Sequence, residues 1–156
     1  MTIDAFEGGL LTLKRKDNMA KGKAIYIDAD EREQIVFQRS YDPKHYEYGG
    51  TCRFSNLPLE KIEALIEKGF LSPRDCQNSS PTAEEFIVFA KRHNPSNWSF
   101  HGYVVSPERS DCRVTIEGIE SNGPLTKDDL IDFLLLVSSA DDLVADRDKP
   151  VYCWYD

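Results

Sequence analysis

The chain has 156 residues, of which 40% are apolar and 29% charged, and it carries a formal charge of −8. It is long enough to bury a core as one domain over residues 1–156, with residues 1–22 as an irregular start, and its charge argues against nonspecific binding to nucleic acid or to an anionic membrane. The charge is uneven: residues 1–78 hold 12 Lys and Arg against 13 Asp and Glu, or −1, and residues 79–156 hold 7 against 14, or −7.

The opening MTIDAFEGGLLTLKRK places acids before a short apolar patch and bases after it, the reverse of a secretory signal. No apolar run is longer than that of Phe133 to Val137, which is too short to span a bilayer. A cytoplasmic location is therefore expected, and the sequons at Asn78 and Asn97 are read as chance. Leu10, Leu11 and Leu13 suggest a strand after Gly8-Gly9. Lys14, Arg15, Lys16, Lys21 and Lys23 form a basic cluster that reads as a solvated loop.

From Lys23 the pattern looks extended. Residues 24–27 (AIYI) and 34–37 (QIVF) flank the charged connector 28–33 (DADERE), which predicts a hairpin with an exposed turn. Residues 40–50 form an aromatic loop. Its Tyr41, His45, Tyr46 and Tyr48 offer a binding surface, though rings packed together to pin the loop are the favoured reading. A short strand over residues 51–54 follows.

The first clear helix is predicted over residues 59–68, with Pro58 in its first turn and Leu59, Ile62, Leu65 and Ile66 at helical spacing. Gly69 followed by Phe70 fits a Schellman stop. Ser80 and Pro81 predict the cap and first residue of a second helix. Its stripe is Ala83, Phe86, Ile87 and Ala90, and Asn94-Pro95 ends it. His93 reads as a helix-end residue.

Residues 97–120 carry the clearest alternation in the chain. Trp98, Phe100 and Val104 share a face with Cys112, Val114 and Ile116, and this face is expected in the core. The opposite face collects His101, Tyr103, Arg113, Thr115 and Glu117. Two registers keep these faces intact, one with Val104 opposite Val114 and one with Val104 opposite Cys112. After Gly123-Pro124, Thr126 can cap a third helix whose stripe is Leu130, Ile131, Phe133, Leu134 and Val137. Leu135 and Leu136 exceed what one stripe needs and suggest a second layer or a homodimer contact. Residues 141–149 look acidic and mobile apart from Leu143 and Val144, and residues 151–155 (VYCWY) form a final strand.

These elements predict an α+β fold. A largely antiparallel sheet is built from hairpins, with about three helices packed mainly on one face. The chain lacks G-x-x-x-x-G-K-[ST], G-x-G-x-x-G, G-x-S-x-G and H-E-x-x-H. Its four cysteines, Cys52, Cys76, Cys112 and Cys153, are scattered without a C-x-x-C pair. They read as reduced thiols and not as zinc ligands, and no metal or cofactor is expected. Two functional readings remain. One is a non-enzymatic module that binds a protein partner. The other is a ligand-binding or catalytic site on the hairpin face, where His101, Tyr103, Arg113, Thr115 and Glu117 supply acid, base and anion-binding groups.

Overall fold

The computed structural model describes residues 3–7, 10–13 and 28–156. Strands β1 (Ile3–Glu7) and β2 (Leu10–Leu13) pair antiparallel, with Glu7 opposite Leu10. The strand expected at Leu10 is thus one arm of a hairpin. The basic cluster of residues 14–23 and the apolar residues 24–27 lie outside the described residues.

The largest correction falls on the next segment. Residues 34–37 are not a strand, and residues 28–33 are not an exposed turn. Together they form helix α1 (Ala29–Phe37), whose N-cap Asp28 accepts a hydrogen bond from the Glu31 N–H at 2.9 Å. The buried side of α1 is Ala29, Arg32, Glu33 and Val36. That spacing is helical, but two of its four members are charged, so apolar periodicity alone does not reveal it.

Strand β3 (Thr51–Pro58) is twice as long as expected and leads directly into α2 (Leu59–Glu67). Pro58 stands at the N-cap rather than inside the first turn. The Schellman stop is present. Phe70 N–H donates to the Leu65 carbonyl at 2.8 Å and Gly69 N–H to the Ile66 carbonyl at 3.0 Å, with Gly69 at φ +80°. Helix α3 (Ala83–Arg92) begins two residues later than expected, because Thr82 and not Ser80 caps it, through the Glu85 N–H. The Ser80 hydroxyl instead accepts from the Gln77 N–H and donates to the Pro81 carbonyl.

Strands β4 (Trp98–Val105) and β5 (Val114–Pro124) follow, then α4 (Lys127–Val137), capped by Thr126 as expected. Residues 141–149, expected to be mobile apart from Leu143 and Val144, contain strand β6 (Asp142–Val144). It pairs antiparallel with β7 (Pro150–Trp154), Leu143 opposite Cys153. The sheet order is β3-β4-β5-β7-β6. The fold is therefore α+β with a largely antiparallel sheet, and it has four α-helices among the described residues where the sequence suggested three.

The described residues form two compact units. One comprises the chain up to Phe54 with Tyr103–Val114, and the other Ser55–Gly102 with Thr115–Asp156. In the first, Val105 N–H donates to the Arg113 carbonyl at 2.8 Å, the bond made when Val104 stands opposite Val114. In the second, Trp98, Phe100 and Ile116 are buried as predicted, together with Ile62, Leu65, Phe86 and Phe133.

Glycine at two sheet positions is required by close approach. A Cβ on Gly102 would lie 1.9 Å from the Thr115 carbonyl oxygen, and one on Gly118 would lie 2.0 Å from the Cys153 carbonyl oxygen. Gly123, on the same strand as Gly118, has nothing within 4 Å of that position. Gly118→Ala is expected to destabilise by at least the ~1–3 kcal/mol of an overpacked core, whereas Gly123→Ala changes stability by less than about 0.5 kcal/mol. Urea unfolding of both variants checks this, and equal midpoints would contradict the close approach.

Candidate functional site

The five residues predicted to share the polar hairpin face are divided between the two units. Thr115 and Glu117 are buried, as is His101. The His101 ring stacks on Tyr152 with centroids 4.8 Å apart, and its Nε2 lies 2.8 Å from the Cys153 carbonyl oxygen. His101 is thus engaged by β7, the neighbour of β5. In the other unit, Arg113 donates to the Tyr103 hydroxyl at 3.0 Å and lies over its ring at 5.7 Å. It also donates to the Asp111 backbone carbonyl and carboxylate. Tyr103 and Arg113 are only half-buried. The buried Cys153 thiol, beside the Ile119 backbone, is pushed up to about 12 by loss of water.

A second feature was not singled out from the sequence. Helices α3 and α4 leave a groove of about 690 Å³ between them. Val88, Phe89, Leu135 and Leu136 supply its apolar lining, and Arg74, Glu84, Glu85, Arg92 and Asp132 its polar lining. Leu135 is 75% exposed, and Ile131 and Val88 are each 47% exposed. Only Phe133 and Val137 of α4 are buried, so the predicted stripe is narrower than the apolar content of the helix. Leu130 and Leu134 are half-buried.

The two helices are held by His93, the C-cap of α3. Its Nδ1 is 2.8 Å from Asp129 Oδ1 and its Nε2 3.5 Å from Asp132 Oδ2. Its carbonyl accepts the Trp98 indole N–H at 2.9 Å. Trp98 in turn contacts Phe89 edge-on at 5.1 Å and stacks on Phe133 at 5.7 Å. His93 is a helix-end residue as expected, but it also ties α3 to α4. No sequence spacing between residues 93 and 129 signals that.

A third cluster lies around α1 in the other unit. Glu33 is fully buried and accepts hydrogen bonds from Arg39 Nε at 3.0 Å and from the Tyr46 hydroxyl. Arg39 also donates to the Cys52 thiol at 3.4 Å and lies 4.3 Å from the Phe37 ring centroid. Tyr41 and Tyr46 are in ring contact at 5.7 Å, which accords with an aromatic loop pinned by packing, while Tyr48 is exposed. Arg109 fixes the other side of this loop through Asp111 and the Gly49 carbonyl.

Comparison with protein-family models, characterised proteins and solved structures found no match. Among the described residues, no group of three or more His, Cys, Asp or Glu side chains is arranged to hold a metal ion. None of the described helices is long and apolar enough to cross a membrane.

Burial raises the Glu33 carboxyl above its ordinary 4.5, and Arg39 opposes that shift only in part. A carboxyl raised in the folded state contributes stability that is complete below 4.5 and is lost as pH climbs through the folded value. The stability of the wild type minus that of Glu33→Gln should therefore fall as pH rises from 4.5. Denaturant unfolding between pH 4 and 8 measures the gap, and a gap that widens with pH would mean that Arg39 outweighs burial.

Proposed function

We propose that this chain is a non-enzymatic binding module. Its partner docks an amphipathic helix, with Lys and Arg along its flanks, into the groove between α3 and α4. The observation that carries this reading is Leu135, three-quarters exposed beside Ile131 one helical turn earlier and Val88 across the groove. Exposed apolar residues clustered along a groove with a polar rim suit helix-in-groove recognition. Fully burying a leucine or valine side chain contributes about 1.5–3 kcal/mol, so covering the three has enough driving force for a specific complex.

Charge favours this occupant. Glu84, Glu85 and Asp132 outnumber Arg74 and Arg92 in the groove lining, Asp128 and Asp129 stand in the first turn of α4, and residues 79–156 carry −7 overall. Cationic flanks on the partner complement that field and speed encounter. A second copy of this chain would bring the same acidic residues, so the homodimer suggested by Leu135 and Leu136 fits less well. Two of the three histidines are engaged, His93 by two aspartates and His101 by β7, which favours binding over acid–base chemistry at either residue.

The probe is a synthetic helical peptide of leucine and lysine with one apolar face, titrated into the labelled protein and followed by NMR. Shifts should concentrate on residues 83–93 and 127–137. Leu135→Asp should weaken binding by about tenfold or more, and raised salt should weaken it further. A peptide with glutamate in place of lysine should bind less well. Equal binding by Leu135→Asp, or tighter binding of the acidic peptide, would overturn the proposal. So would sedimentation showing a wild-type dimer that Leu135→Asp dissolves, because a second copy would then occupy the groove.

A further inference from the structure

Arg32 is the least explained charge in the molecule. It is 1% exposed, and its Nε, Nη1 and Nη2 atoms are all buried without a hydrogen-bond partner among the described residues. Arginine can ordinarily run its stem along apolar surface and deliver the guanidinium to water, and this one does not. Its neighbour in sequence, Glu33, accepts from Arg39 and Tyr46 and makes no hydrogen bond to it. The Tyr41 hydroxyl is also buried and makes no hydrogen bond of good geometry, although Ser106 stands near it. Tyr41 and Arg32 lie close enough for each to perturb the ionisation of the other. Among the described residues, buried donors of Arg32 and Tyr41 are therefore left without a hydrogen-bonded acceptor.

We infer that Arg32 and Tyr41 form a binding site for the carboxylate of a small molecule. The guanidinium would hold both carboxylate oxygens through parallel N–H donors, and the Tyr41 hydroxyl would donate to one of them. The charge balance points to a monoanion. Glu33 is hydrogen-bonded to Arg39, and Glu33 and Cys112 act on Arg32 only through space, so among the described residues the guanidinium has no negative group bonded to it. A dianionic phosphate would add a second negative charge beside Glu33 and Glu108, both of which already act on Tyr41. The guanidinium is lowered to about 10 by loss of water, the mark of a charge stripped of solvent.

The test uses the full chain and its thermal unfolding in formate, acetate and succinate, with chloride at matched ionic strength as the control and inorganic phosphate as the competing anion. The wild type should gain melting temperature with carboxylate concentration and not with chloride. Arg32→Met should lose the gain. It should also melt no lower than the ligand-free wild type, because it removes a buried charge that lacks a partner. Tyr41→Phe should keep the gain but need about tenfold more ligand. A wild type indifferent to all three carboxylates overturns the site, as does an undiminished response in Arg32→Met. A larger response to phosphate than to any carboxylate overturns the ligand class. If Arg32→Met does not fold, the wild-type and Tyr41→Phe titrations decide.

Discussion

Trp98 occupies the point where three elements meet. Its indole is buried between Phe89 of α3 and Phe133 of α4, and its N–H closes on the carbonyl of His93 at the end of α3. A buried indole needs both a large apolar contact and an acceptor for its one donor, and here the same helix supplies both. Once α3 and α4 are held in this way, their outward residues are determined. Phe86, Phe89, Phe133 and Val137 turn inward, and Val88, Ile131 and Leu135 are left facing solvent. The groove is a consequence of how the tryptophan is satisfied.

The other unit meets a different constraint. Helix α1 buries two charges, and burial of a charge is tolerated only with compensation. Glu33 has it, from Arg39 and the Tyr46 hydroxyl. Arg32 has no hydrogen-bond partner among the described residues, and Glu33 and Cys112 act on it only through space. Two adjacent buried charges on one helix thus differ, one hydrogen-bonded within the fold and the other not.

Where side-chain spacing and local chemistry decide an element, the sequence was legible. The parity of residues 98–105 and 114–119, the glycine stop at Gly69 and the threonine cap at Thr126 all follow from alternation or from one cap. Helix α1 was not legible by hydrophobic pattern, because its buried positions 29, 32, 33 and 36 include Arg32 and Glu33. A signal did exist in Asp28 with Glu31 three residues on, the spacing of a capping box. Strand β6 was missed because three residues in an acidic stretch carry too little pattern, and only pairing with β7 defines them. The candidate groove was half legible. Surplus leucines on α4 announced an apolar face, but the closure of α3 on α4 through His93 and Trp98 is long-range and leaves no local mark. The alternation of β4 and β5 marked Trp98, Phe100 and Ile116 as core residues, yet it could not show that inner strands bury Thr115 and Glu117 as well.

Val88, Ile131 and Leu135 stand open to water in the isolated chain while Phe133 and Val137 are buried. Methyl NMR in the presence of a soluble nitroxide measures this directly. The methyl signals of Val88, Ile131 and Leu135 should broaden strongly, and those of Leu65 and Val137 should be spared. Protection of the Leu135 methyls to the level of Val137 at low protein concentration would mean that the chain already covers this face, and would contradict the account.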